Sequence, residues 1–217
     1  MRNARANMIE NQIRAGGVHL QSVFNTLEIV RREDFVPLPY RHYAYAEMEI
    51  PLPYGQNMFT PLTEALILQA LALTGNDTVL EIGAGSGYMA ALMAHNARHV
   101  TTVELEPGLK KMAESNLDHH GIRNAHVVCE NGFSIERYAP EQIFDVIVFS
   151  GAVSAIPETF KNRLAIHGRM AVFYERDTFV QALLLQKNSA VDLNMTILFE
   201  TSVKPLREQL HHSHFYF

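Results

Sequence analysis

Three glycines at alternate positions, Gly83, Gly85 and Gly87, break an apolar run from Val79 to Tyr88 in this 217-residue chain. Glycine turns sharply and, lacking a Cβ, lets a ligand approach the main chain closely. Val79-Leu80-Glu81-Ile82 before them reads as a buried strand. Tyr88 to Asn96 after them is rich in Ala and Met and favours a helix. A glycine turn between a strand and a helix aims the helix's first amides at a ligand. The spacing is G-x-G-x-G, not the G-x-G-x-x-G of dinucleotide binders. Glycines alone also fit a plain connector, so a second signal matters. Val100-Thr101-Thr102-Val103-Glu104-Leu105 supplies it as a short β-branched strand ending in a carboxylate. Glu104 lies about twenty residues beyond the first glycine, where a carboxylate can accept both hydroxyls of a ribose.

These groups need a scaffold. Residues 4–15 and 20–32 carry apolar positions at helical spacing, with Gly16-Gly17 as the stop between them. Pro61 to Leu73 reads as a third helix with proline at its start. Pro107 to His119 is helical and is ended by Gly121. His126 to Glu130 and Phe144 to Phe149 read as strands, the second apolar enough to be buried on both faces. Pro157 to Leu164 is a short helix, and Gly168 precedes a strand from Met170 to Tyr174. Phe179 to Gln186 and Leu193 to Val203 then form a terminal β-hairpin. Alternating strands and helices predict a mostly parallel sheet covered on both sides.

In such a sheet the ligand lies at the carboxyl ends of the strands. Two further ends are Glu130-Asn131-Gly132 and Ser150-Gly151-Ala152. Asn131 could place an amide near an adenine amino group. The second segment is read as a small-residue turn that leaves room. Asn-Gly is a turn signal anywhere, so the value lies in four successive strand ends together.

Composition narrows the class. The chain is 47% apolar with a net charge of −5. It can fill one core, and its acidity argues against a nucleic-acid partner. A lone Cys129 excludes an internal disulfide and suits a reducing compartment. The polar first residues do not read as a signal peptide, and no apolar run approaches the ~20 residues of a membrane span. A cytoplasmic location is expected. The tail His211-His212-Ser213-His214 lacks companion ligands, and no metal site is expected. We expect a single domain, with residues 1–60 as a helical cap and 61–217 as the ligand-binding core.

The G-x-G-x-G turn after a strand carrying Glu81 resembles the S-adenosylmethionine site of Rossmann-like methyltransferases. Their seven-stranded sheet with a C-terminal hairpin is similar to the order read here. Within that class the chain resembles the protein-L-isoaspartate O-methyltransferases along nearly its whole length. The matching landmarks are Gln12-Ile13-Arg14-Ala15-Gly16-Gly17-Val18, Arg32-Glu33-Asp34-Phe35-Val36-Pro37 and Ala44-Tyr45. Leu52-Pro53-Tyr54-Gly55-Gln56 with Pro61, Phe144-Asp145-Val146-Ile147 and Val203-Lys204-Pro205-Leu206 complete them.

The resemblance implies an α/β fold with a Rossmann-like seven-stranded, mostly parallel sheet, a C-terminal antiparallel hairpin and an N-terminal helical elaboration. It implies S-adenosyl-L-methionine as cofactor and a protein or peptide carrying isoaspartate as acceptor. It assigns cofactor contacts to Glu81, Gly83, Ala84, Gly85, Ser86, Gly87, Glu104, Leu105, Asn131, Gly132 and Ser150. The family's active-site loop runs Gly-Gln-Thr-Ile-Ser-x-Pro. Here it is Gly55-Gln56-Asn57-Met58-Phe59-Thr60-Pro61, so Phe59 stands at the serine position. Phe59 and Thr60 are the candidate catalytic positions. The loss of that hydroxyl leaves open a same-fold methyltransferase with another acceptor. A non-catalytic cofactor-binding module is the third reading; the glycine turn together with Glu104 argues against it.

Overall fold

The computed structural model describes residues 2–207, with the side chains of residues 3–207. At the N-terminus, α1 (Arg2–Met8) passes into a π-helical turn, Ile9–Ile13, and α2 spans Gln21–Ile29. The expected helix over 20–32 therefore ends early. Arg32–Asp34 forms a separate 3-10 turn whose arginine is buried. Next comes a small ladder of β1 (Ile50–Pro51) and β2 (Asn57–Met58), antiparallel, with Ile50 opposite Met58. Its tip is closed by the Leu52 N–H donating to the Gln56 carbonyl at 2.8 Å. Helix α3 (Pro61–Leu71) stops two residues short of the expected Leu73 because Ala72 adopts φ 44, a left-handed helix end.

The core sheet has seven strands in the order β5-β4-β3-β6-β7-β8-β9. Strands β3 (Thr78–Ile82), β4 (His99–Glu104), β5 (Ala125–Cys129), β6 (Phe144–Val153) and β7 (Leu164–Arg176) pair in parallel. Strand β8 (Phe179–Lys187) runs antiparallel to both β7 and β9 (Leu193–Thr201), forming the expected terminal hairpin. Two strands are longer than their sequence suggests. Strand β7 starts at Leu164 instead of Met170. Strand β6 continues through Ser150, Gly151 and Ala152, which were expected to turn; a register shift between Val148 and Ala152 accommodates them within the strand.

Alternation along the strands builds two cores. Val79, Val100, Val146, Val148 and Phe173 face α3, α4 (Tyr88–Asn96) and α5 (Pro107–His119). Leu80, Ile82, Ile147, Phe149 and Val172 face α6 (Ile135–Tyr138) and α7 (Glu158–Arg163). The N-terminal helices extend the first core and are tied in by polar contacts. Asn96 Nδ2 donates to Thr26 Oγ1 at 2.7 Å. Gln69 Oε1 accepts from the backbone of His19 at 2.7 Å and of Leu20 at 3.1 Å. After β9 the chain crosses back over β6: the Ala152 N–H donates to the Lys204 carbonyl and the Leu206 N–H to the Ala152 carbonyl, each at 2.9 Å.

Candidate active site

An open cleft of roughly 790 Å³ lies at the carboxyl ends of β3, β4 and β6, covered by the β1–β2 hairpin.

The glycine turn forms its floor. Gly83, Gly85 and Gly87 have φ of 95°, 53° and 82°. A Cβ at Gly85 would stand 3.2 Å from Leu52 Cδ1, filling the gap between the turn and the hairpin. A Cβ at Gly87 would instead stand 3.1 Å from the Ala113 Cα, so this glycine lets the start of α4 pack directly on α5.

Glu104 closes the turn from the side. Its Oε2 accepts from the Gly85 N–H at 2.8 Å and its Oε1 from the Glu106 N–H at 3.0 Å. Each oxygen keeps lone-pair capacity toward the cleft. Beneath it, Glu81 is fully buried, and burial pushes its carboxyl up to about 7. Thr102 Oγ1 and Ser150 Oγ each donate to it at 2.7 Å, which partly offsets that penalty. Ile82, Met89, Val103, Leu105 and Phe133 supply apolar walls. A carboxylate acceptor beside a glycine cradle and an apolar slot fits the adenosyl group of S-adenosylmethionine.

The other end of the cleft is the loop after β2. Phe59 is half-buried and borders the cleft; its ring lies 4.8 Å from the Phe173 ring at 50°. Thr60 is elsewhere. Its hydroxyl caps α3, accepting from the Thr63 N–H at 3.2 Å, and it does not line the cleft. Behind the loop, Arg32 forms a buried ion pair with Glu64. Burial pushes the Glu64 carboxyl up to about 7 despite that guanidinium.

Of the expected site residues, the structure brings Phe59, Glu81, Gly83, Ala84, Gly85, Ser86, Glu104, Leu105, Gly132 and Ser150 to one cleft. Gly87 serves helix packing. Asn131 is turned into its own loop, its Oδ1 accepting from the Phe133 N–H at 3.0 Å. Sequence reasoning assigned no role to Glu64, Tyr88 or Arg207 and placed Leu52 only within a stretch that resembles the family's active-site loop; all four line the cleft, as does Leu206. Val203-Lys204-Pro205-Leu206 stood out only as a landmark, because its return across β6 is a long-range contact with no local signal. Among the described residues no group of three or more His, Cys, Asp or Glu could hold a metal; His211, His212 and His214 lie outside them.

The comparisons with known proteins converge. Residues 3–210 match the model of the protein-L-isoaspartate(D-aspartate) O-methyltransferase family. A Koribacter versatilis protein named protein-L-isoaspartate O-methyltransferase is 35% identical over 202 residues, covering 93% of this chain and 90% of that protein. A Rhodopseudomonas palustris protein of the same name is 38% identical over 177 residues, 82% of this chain and 80% of that protein. Among solved structures, a Plasmodium falciparum protein named for the same activity and crystallised with S-adenosyl-L-homocysteine superposes with a TM-score of 0.81. It is 21% identical and spans 94% of this chain and 98% of that one. The match runs through the N-terminal helices, the cleft and the sheet alike, and the chain belongs to the protein-L-isoaspartate(D-aspartate) O-methyltransferase family.

Proposed function

We propose that this protein uses S-adenosyl-L-methionine to methylate the abnormal carboxylate of isoaspartyl residues in damaged proteins and peptides. Family membership over residues 3–210 carries the reading. The cleft supports it with a fitting donor set: Glu104 for the ribose hydroxyls, the turn around Gly85 for close approach, and apolar walls for the adenine.

When bound, the cofactor supplies an electrophilic methyl group on sulfur that an acceptor oxygen takes in line. The acceptor carboxylate, with a pKa of about 4, is already ionised near neutral pH, so the chain needs no general base. What remains is alignment and exclusion of water. Phe59, backed by Phe173, walls the acceptor end. The buried carboxyl of Glu81, held by Thr102 and Ser150, fixes the strand beneath the cofactor turn. Thr60 acts through α3, whose first turn it caps, rather than by touching the acceptor.

A second reading rests on Phe59. An aromatic ring at the acceptor end offers no hydrogen bond to a carboxylate, which favours a different acceptor in the same fold. The net charge of −5 favours a protein or peptide acceptor over nucleic acid. We take the chain as a single domain whose cap, residues 1–60, supplies the lid of the site. We also place it in the cytoplasm, on its lone, exposed Cys129; among the described residues no helix is long and apolar enough to cross a membrane. Transfer of labelled methyl to an isoaspartyl peptide, with the aspartyl form as control, tests the function. Methylation of neither peptide would reject it.

A further inference from the structure

Arg32 takes no part in the reaction as described above, yet its side chain is among the most deeply buried in the molecule, 1% exposed. Three elements meet on it. Nη1 pairs with the Glu64 carboxylate on α3. Nη2 donates to the Phe59 carbonyl at 2.5 Å. The guanidinium carbon lies 5.2 Å from the centre of the Tyr88 ring, the first residue of α4 after the glycine turn. Its Nε–H is buried with no partner among the described residues.

Stability alone does not ask for this arrangement. A buried ion pair is commonly replaceable by apolar side chains, and a buried donor without a partner is a cost. A guanidinium does what an apolar side chain cannot: its rigid planar fork holds two acceptors at fixed positions while its face lies against an aromatic ring. Here one acceptor is the main chain of the residue whose ring walls the acceptor end. The aromatic ring belongs to the helix that starts at the cofactor turn. One rigid group thereby spans the two halves that must align for an in-line displacement.

We propose that Arg32 is a positioning residue for methyl transfer, its buried guanidinium fixing the Phe59 loop against the cofactor turn; this rests on the function proposed above.

The test uses the full chain with the double substitution Arg32→Met, Glu64→Gln, which removes both charges and leaves neither buried alone. Affinity for S-adenosyl-L-homocysteine, measured by calorimetry, should change far less than kcat, because Arg32 lies outside the cleft and Glu64→Gln keeps the size and one acceptor oxygen of the side chain that borders it. The kcat on an isoaspartyl peptide should fall roughly 100-fold, the scale for an ångström-sized misplacement of reacting groups, with a smaller change in KM. Amide hydrogen exchange over residues 56–60 should quicken. Arg32→Lys keeps the charge opposite Glu64 but not the fork. It should also lose kcat, and it decides the matter if the double variant does not fold. An unchanged kcat in a folded variant, or a loss that appears wholly in cofactor affinity, overturns the proposal. If the natural protein does not methylate isoaspartyl peptides, the functional reading fails. The exchange data then judge Arg32 separately, and unchanged protection of residues 56–60 overturns its positioning role.

Discussion

The carboxylate of Glu104 accepts a hydrogen bond from the Gly85 N–H at 2.8 Å, joining the end of β4 to the middle of the glycine turn. One side chain thus shapes the turn and faces the cleft. Its loss should affect cofactor binding twice, through the ribose contacts and through a looser turn. Glu104→Ala is expected to weaken S-adenosylmethionine binding by roughly 1.5–3 kcal/mol, the scale for hydrogen bonds to a charged group. Glu104→Gln should lose less, since its amide oxygen still accepts. Calorimetric titration of both variants checks the order; equal affinities for all three proteins would refute the ribose assignment.

Gly85 and Gly87 share a left-handed backbone but face different neighbours, so the same substitution should separate their roles. Alanine at either site incurs the backbone strain, about 1–3 kcal/mol. Gly87→Ala adds a Cβ 3.1 Å from the Ala113 Cα, a backbone contact that can relax only if α4 and α5 move apart. It should therefore lower thermal stability the more of the two. Gly85→Ala meets only the Leu52 side chain, at 3.2 Å, and narrows the space for the ligand. It should lower cofactor affinity the more. Melting curves with and without S-adenosylhomocysteine distinguish the two effects.

Much of this was legible in the sequence, for identifiable reasons. The strands around Leu80, Val103 and Ile147 are short apolar runs bounded by turn residues, and α5 carries a clear apolar stripe ended by Gly121. The turn and Glu104 announced themselves because their chemistry is local: a missing Cβ and a carboxylate at a strand end. What stayed hidden depends on distant partners. Ser150-Gly151-Ala152 looks like a turn by composition, yet pairing with β7 and with Lys204 to Leu206 keeps it extended. Arg32 sits in a polar run, and nothing nearby in sequence announces that Glu64 and the Phe59 carbonyl will bury it. Asn131 has the right chemistry for adenine, and its oxygen also accepts from the Phe133 N–H two residues on, a loop contact that its position in sequence does not announce. Thr60, one position from the expected centre of chemistry, is claimed by the need to cap α3.

Glu81 makes stability depend on pH in a definite direction. Its carboxyl is pushed up to about 7 in the folded protein, against an ordinary value of 4.5. Between those two values the unfolded chain releases the proton while the folded protein keeps it, so this group's contribution to stability falls as pH rises from about 4.5 to 7 and is flat above. Glu81→Gln removes the titration while keeping an acceptor for Ser150 or Thr102. Relative to the natural protein, the variant should gain stability as pH rises through that window, by up to roughly 3 kcal/mol. Denaturant unfolding of both proteins at pH 5, 6, 7 and 8 measures the difference; a difference independent of pH would contradict the assignment.

Phe59 stands where similar loops carry a serine. If a hydroxyl there assists the isoaspartyl carboxylate, Phe59→Ser should raise kcat on an isoaspartyl peptide by one to two orders of magnitude, from a charge-assisted hydrogen bond of about 1.5–3 kcal/mol. The variant should also be less stable, because the ring gives up its contact with Phe173, worth about 0.5–1.5 kcal/mol beyond the burial itself. Robust natural activity that is lost in Phe59→Ser would show that the aromatic ring is a working part of the acceptor site.

The most direct measurement is the initial rate of labelled methyl transfer from S-adenosylmethionine to a peptide containing one isoaspartyl residue, beside the same peptide with ordinary aspartate. The account predicts saturable transfer to the isoaspartyl form only, as a base-labile methyl ester, and abolished when Gly85 is replaced by Val. Equal transfer to both peptides, or none to either while the cofactor binds, would contradict it.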